Sequence, residues 1–232
     1  MIDVGALLAS RLGKIGAGAI ALVVIAAALF VYAIGWRPPA GKYAIQGVDV
    51  SEAQGDIDWN VLNARGADFA YLRATFGAAG RDSRFADYWP AAGAADIRRG
   101  AVHIWSFCDD PVKQADNFLT TVPRTDDALP ALLAIGFSPD CAARPPRAAV
   151  IAGLRRFLSM AETHTGEPML LKISKPAERA YQISAAIPRP VWEMRNFIAP
   201  DYAARPWRVW QASDIRRVDG VAGPINWDVV AP

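Results

Sequence analysis

The residues best placed for chemistry lie in Gly47-Val48-Asp49-Val50-Ser51, followed by Gly55-Asp56-Ile57-Asp58-Trp59. Val48 and Val50 flank Asp49, so on an extended chain the carboxylate faces opposite to both. Glycines 47 and 55 permit tight backbone on either side. Asp58 precedes an apolar-periodic run (Trp59, Leu62, Ala67) that reads as a helix with an aspartate at its start. A carboxylate at the end of a first strand, ahead of a first helix, is where barrel enzymes place catalytic groups. The plainer reading of such an Asp is a helix cap or turn former.

Other reactive groups are sparse. The chain holds two cysteines, Cys108 and Cys141, and two histidines, His103 and His164. None stands at metal-ligand spacing, so neither a metal nor a cofactor is expected. The cysteines suit either one disulfide outside the cytosol or two reduced, buried thiols. Seven of the eight tryptophans follow position 50. Such rings can carry the apolar face of a sugar, although core packing accounts for most buried rings. Lys+Arg 25 against Asp+Glu 23 leaves a net charge of +2, which gives no electrostatic case for nucleic acid.

The elements that must position these groups alternate. Strands are expected at 44–50, 68–75, 100–107, 129–137, 168–173, 190–194 and 208–212, and helices at 59–65, 83–94, 110–121 and 147–164. Strands alternating with helices imply an α/β fold with a mainly parallel sheet or barrel. The last third is rich in strands and short connections, with little room for full helices.

Ahead of this domain, Ile15–Trp36 carries no charged residue. At helical rise the run spans roughly 30 Å, the thickness of a bilayer core. It is longer than a signal-peptide apolar region, and Leu29-Phe30-Val31-Tyr32 is a poor approach to a cleavage site. The expected layout is a cytoplasmic N-terminus (1–14), a transmembrane helix (15–36), a linker (37–43) and a soluble domain (44–232). Arg11 and Lys14 before the span place that domain on the periplasmic or extracellular side of the cell membrane.

Several pieces of the chain, in order, resemble the lysozymes of glycoside hydrolase family 25, the muramidases of the Chalaropsis type. They are G-V-D-V-S-x-x-Q-G-D-I-D-W at 47–59, Y-L-R-A-T-F-G at 71–77, D-x-x-F at 82–85 and R-G-A-V-H-I-W-S-F-C at 99–108. Q-A-x-N-F at 114–118, D-A-L-P at 127–130, W-R-V-W-Q-A-S at 207–213 and V-D-G-V-A-G-P-I-N-W-D at 218–228 follow. The resemblance implies an irregular (β/α) barrel with its site at the C-terminal strand ends and peptidoglycan as substrate. It puts Asp49 at a catalytic position and Asp49, His103, Trp105, Trp210 and Gln211 around a glycan cleft. Both cysteines match a subgroup of the family, and neighbouring barrel strands would bring Cys108 and Cys141 to one rim, within about 7 Å between Cα atoms.

The departures from that family fall on its acids. Where the family's second strand reads K-A-T-E-G, this chain has Arg73-Ala74-Thr75-Phe76-Gly77, placing Phe76 at the Glu. Ala134 and Gly136 stand at the D-x-E pair, and Asn226 at the Asp of V-D-x-N. Glycoside cleavage needs a proton donor and a second carboxylate, so these replacements imply a catalytically degenerate domain that binds peptidoglycan or another envelope glycan, or serves in envelope interactions. The competing expectation is an active muramidase with a relocated acid. Asp109, Asp110, Asp140 and Glu193 lie near strand ends, and Asp140 is the best placed.

Overall fold

The structure, a computed structural model, describes residues 4–232, with side chains described from Gly16 onward. The expected N-terminal tail at residues 1–3, and the side chains of Arg11 and Lys14, lie outside the described residues. The chain divides into two compact units, 1–36 and 37–232.

The first unit is helix α1 (Val4–Gly35), which starts eleven residues before the expected span at Ile15. Residues 4–14 are mostly good helix formers with no proline, so nothing stops the helix from extending N-terminally. Within it, Gly16–Gly35 is 20 residues long with a mean hydropathy of 2.6, long and apolar enough to cross a membrane.

The second unit is an α/β barrel. Its strands are β1 (Gln46–Val50), β2 (Phe69–Phe76), β3 (Gly80–Arg81), β4 (Arg98–Ile104), β5 (Leu132–Ile135), β6 (Leu170–Ile173), β7 (Val191–Met194), β8 (Trp207–Arg216) and β9 (Ile225–Val230). The sheet order is β1-β9-β8-β7-β6-β5-β4-β2-β3, and β1 also pairs with β2, so eight strands close into a barrel with β3 as an outer hairpin arm. The mainly parallel sheet expected from the alternation is present in β1, β2 and β4 through β8, whereas β3 runs antiparallel to β2, and β9 runs antiparallel to both neighbours and closes the ring.

Helices α2 (Trp59–Ala64), α3 (Phe85–Ala94), α4 (Pro111–Thr121) and α5 (Arg147–Thr165) connect the first strands. Their starts are fixed locally. Asp58 caps α2 by accepting from Val61 N–H, and Asp110 caps α4 ahead of a first-turn proline. Gly166, at φ 81°, ends α5 in the left-handed region. In the last third, α6 (Lys175–Tyr181) and α7 (Ile183–Ala186) are short because Gln182 adopts φ 47° between them.

Strand bounds shift from expectation: β8 runs on to Arg216 rather than 212, and β9 is not among the expected strands. β5 covers Leu132–Ile135 rather than 129–137, since Pro130 has no N–H for the ladder. β4 begins at Arg98 and ends at Ile104, so Trp105–Phe107 belong to the loop above the barrel.

Side chains alternate between two environments. Phe69, Tyr71, Val102, Leu132, Leu170, Trp192 and Val209 fill the barrel interior. Tyr71 and Trp192 meet there edge to face at 5.0 Å between ring centroids. The residues between them face the helices, as at Leu133, Leu171 and Val191, all buried. Cys108 and Cys141 are joined, with Cα atoms 5.9 Å apart, tying the loops after β4 and β5 at the C-terminal rim.

Candidate functional site

Asp49 stands near the C-terminal end of β1 with its side chain 19% exposed. Both its oxygens are engaged. The Lys172 ammonium donates to Oδ2 at 2.6 Å, and the Asn226 amide donates to Oδ1 at 2.8 Å. Gln211 donates to Asn226 Oδ1 at 3.3 Å, extending the chain of bonds to β8. Lys172 is 8% exposed, and its Nζ lies 5.0 Å from the centroid of the Trp192 ring. The cation is thus held between one carboxylate and one aromatic face.

Below this pair lies Asp228, which shares the inner face of β9 with Asn226 and sits opposite Gly47 in the β1 register. Its side chain is wholly buried. Burial pushes its carboxyl well above the usual carboxylate range, and the neighbouring charge of Asp49 pushes the same way; Lys172 and the Trp192 indole oppose. Neither Asp228 oxygen nor the Trp192 indole N–H meets a partner within hydrogen-bond geometry among the described residues. The barrel centre therefore stacks a solvent-reachable ion pair over a buried acid that favours its neutral form.

The positions expected to carry acids are apolar or neutral. Phe76, at the end of β2, is 40% exposed, with the Arg73 guanidinium 5.3 Å from its ring centroid. Arg73 is itself bonded to Asp82 at 2.6 Å and Glu52 at 2.8 Å. The hydrogen bonds of Ser83, ahead of the charge of Arg73, hold the Glu52 carboxyl below its usual range. Ala134 packs against the barrel core and pairs in register with Lys172. Gly136 has room for a side chain: a Cβ there would meet only Ser174, at 3.5 Å or more.

Of the residues singled out by sequence, the structure brings Asp49, Asn226 and Gln211 together. It does not bring His103, Trp105 or Trp210 to them. Val102 faces the barrel interior, so His103 faces the helices. Its ring is fully buried, stacked on Phe157 at 4.7 Å, with Nδ1 on Thr75 Oγ1 at 2.7 Å and Nε2 on Gln114 Oε1 at 3.2 Å. Burial lowers its pKa from 6.5 to about 4. Trp105 packs edge to face on Phe157, and Trp210 on Tyr43 with its indole donating to Arg195 O.

Among the alternative acids, Asp110 is the α4 cap and Asp109 accepts from Ala78 N–H at 3.1 Å. Glu193 points outward and accepts from Tyr202 N–H at 2.9 Å, and burial raises its carboxyl. Asp140 is exposed beside Cys141, and its carboxylate makes no hydrogen bond among the described residues.

Sequence reasoning missed Lys172 and Asp228. Lys172 is the one charged residue in Met169–Ile173, and Asp228 lies two residues after Asn226, hence on the same strand face.

A closed eight-stranded α/β barrel with a carboxylate at the first strand's C-terminal end defines a scaffold of the barrel-enzyme type, its cleft at that rim. Residues 48–221 match glycosyl hydrolases family 25, and the chain belongs to that family. It is 29% identical to uncharacterized protein YegX of Escherichia coli (strain K12) over 214 residues, covering 86% of this chain and 77% of that one. A family 25 glycosyl hydrolase from Bacillus anthracis superposes with a TM-score of 0.76 at 30% identity, covering 82% of this chain and 90% of that one. A bacterial lysozyme from Streptomyces coelicolor does so with a TM-score of 0.74 at 26% identity, covering 81% and 92%.

Proposed function

We propose that this protein is a membrane-anchored lysozyme-like domain that holds peptidoglycan glycan without cleaving it. Two points support the reading: the resemblance sets Phe76, Ala134, Gly136 and Asn226 at the family's acid positions, and both Asp49 oxygens are bonded, to Lys172 and Asn226. Cleavage requires two carboxyl groups across the scissile bond. The acid beneath Asp49 in the barrel, Asp228, is buried under the ion pair and cannot reach a glycosidic oxygen. Loss of a general acid alone removes about 10²–10⁴ in rate, and here no second carboxylate takes over its work.

What remains suits binding. Phe76 and Ile104 are exposed rings and alkyl surface at the C-terminal rim, at 40% and 36%, and they are register partners. An apolar sugar face can lie on such a surface while Asp49, Asn226 and Gln211 meet hydroxyl or amide groups. The anchor reading rests on Gly16–Gly35, followed by Trp36 and Arg37 at the expected interface. The Cys108–Cys141 disulfide agrees with an extracytoplasmic, oxidising location for the domain.

The test is co-sedimentation of the full chain, in mild detergent, with purified peptidoglycan sacculi. Retention that Phe76→Ser or Asn226→Ala weakens supports the reading. A protein that stays wholly in the supernatant contradicts it.

A further inference from the structure

The barrel has a second opening, at its N-terminal end, that the proposed glycan cleft does not use. An apolar cavity of about 460 Å³ lies there, lined by Ile45, Leu129, Leu170, Val209 and Val230. Its size falls within the range of small-ligand sites. Ile45 is 49% exposed at its edge, an apolar side chain left open to solvent. Two arginines stand at the mouth, Arg98 at the start of β4 and Arg208 near the start of β8. Both are exposed, and among the described residues neither makes an ion pair. The one carboxylate at the mouth, Asp68, accepts from Gln46 N–H at 2.9 Å.

The chain enters the barrel unit at this same end. Arg37 donates to Arg65 O at 3.1 Å, and Pro38 O accepts from Gln46 at 3.0 Å, so the chain is fixed to the barrel one residue after Trp36. From Arg37 to Ala44, at the cavity edge, seven residue steps span at most about 25 Å. The mouth thus lies within seven residue steps of Arg37, where the barrel unit begins.

We propose that this cavity takes an acyl chain of an anionic phospholipid from the membrane that α1 spans, with Arg98 and Arg208 holding the phosphate. The proposal rests on the anchor reading above. An apolar slot with two uncommitted guanidinium groups at its rim complements a lipid tail and its phosphodiester, since guanidinium donors match phosphate geometry.

The experiment uses the full chain in nanodiscs of mixed phosphatidylcholine and phosphatidylglycerol. Trace phosphatidylglycerol with a diazirine at one acyl terminus is photolysed, and adducts are mapped by mass spectrometry. A parallel sample carries the same diazirine on phosphatidylcholine. We expect both probes to label α1 and only the anionic probe to label the peptides around Ile45 and Leu129. Two basic residues at an anionic surface together change occupancy by about 30-fold. Arg98→Gln with Arg208→Gln should lower mouth labelling by that order and leave α1 labelling unchanged. Leu129→Trp, which fills the cavity, should lower it with both arginines present. Labelled α1 with an unlabelled mouth, or equal mouth labelling by both probes, overturns this inference alone. Unlabelled α1 overturns the anchor reading and the inference with it.

Discussion

Replacing Lys172 by methionine keeps the length of the side chain and removes its charge. Asp49 then loses its donor on Oδ2 and retains the Asn226 amide at 2.8 Å on Oδ1. Removing one partner of a buried ion pair destabilises by about 3–5 kcal/mol. Asp49 is 19% exposed, so water replaces part of what the ammonium supplied, and we expect the smaller effect of about 2–3 kcal/mol. For a domain of about 200 residues this lowers Tm by roughly 5–10 °C. The assay is thermal and urea unfolding at neutral pH of the parent, Lys172→Met, Asp49→Asn and the double variant. The double variant should be more stable than the sum of the single losses allows, by about 1–3 kcal/mol. A loss under about 0.5 kcal/mol in Lys172→Met, or strict additivity in the cycle, refutes the claim that this pair organises the barrel centre.

Three further outcomes follow from the site. Asp228 binds its proton more tightly folded than unfolded, so its contribution is full below the unfolded value near 3.8 and lost as pH rises through the raised folded value. Unfolding by urea across pH should accordingly show Asp228→Asn gaining on the parent as pH rises, and a constant difference would contradict the burial argument. His103 runs the other way, because its folded pKa of about 4 lies below 6.5. Its neutral form supports the fold above about pH 6.5, and about 3 kcal/mol is lost as pH falls toward 4. His103→Gln should flatten that acid slope in the same titration, and an unchanged slope would count against it. Finally, Ala134→Asp with Gly136→Glu restores two acids where a Cβ at 136 fits, but residue 134 neighbours Lys172 in register. Restoring the acids should contribute about 10²–10⁴ in rate, with Lys172→Gln raising the activity of that double variant further, and no activity in any combination would show that the cleft itself is altered.

The alternation of apolar runs, with Asp58 at a helix start, made the α/β barrel readable along the chain. Both signals act within a few neighbours, so no tertiary knowledge is needed. Asp49 was legible for the same reason, as a carboxylate between valines at a strand end. Lys172 was not, because it meets Asp49 across 123 residues, and only barrel closure sets β1 and β6 to the same interior layer. The placement of His103 turned on strand parity: with Val102 facing inward, the next residue must face the helices, and a one-residue error reverses the two. Trp105 and Trp210 mislead similarly, since the rings that packing needs between barrel and shell are of the type that sugars use. Asp228 escaped notice because Asn226, two residues earlier, occupied the position where the family's acid was sought.

The most direct measurement is release of muropeptides from purified peptidoglycan, followed by mass spectrometry from acid to neutral pH, with sacculus binding scored in the same tubes. Binding with no glycan fragments above the buffer control is the predicted result. Fragments with new reducing ends from the unmodified chain, abolished by Asp140→Asn or Asp49→Asn, would contradict the account and establish a working acid in the cleft.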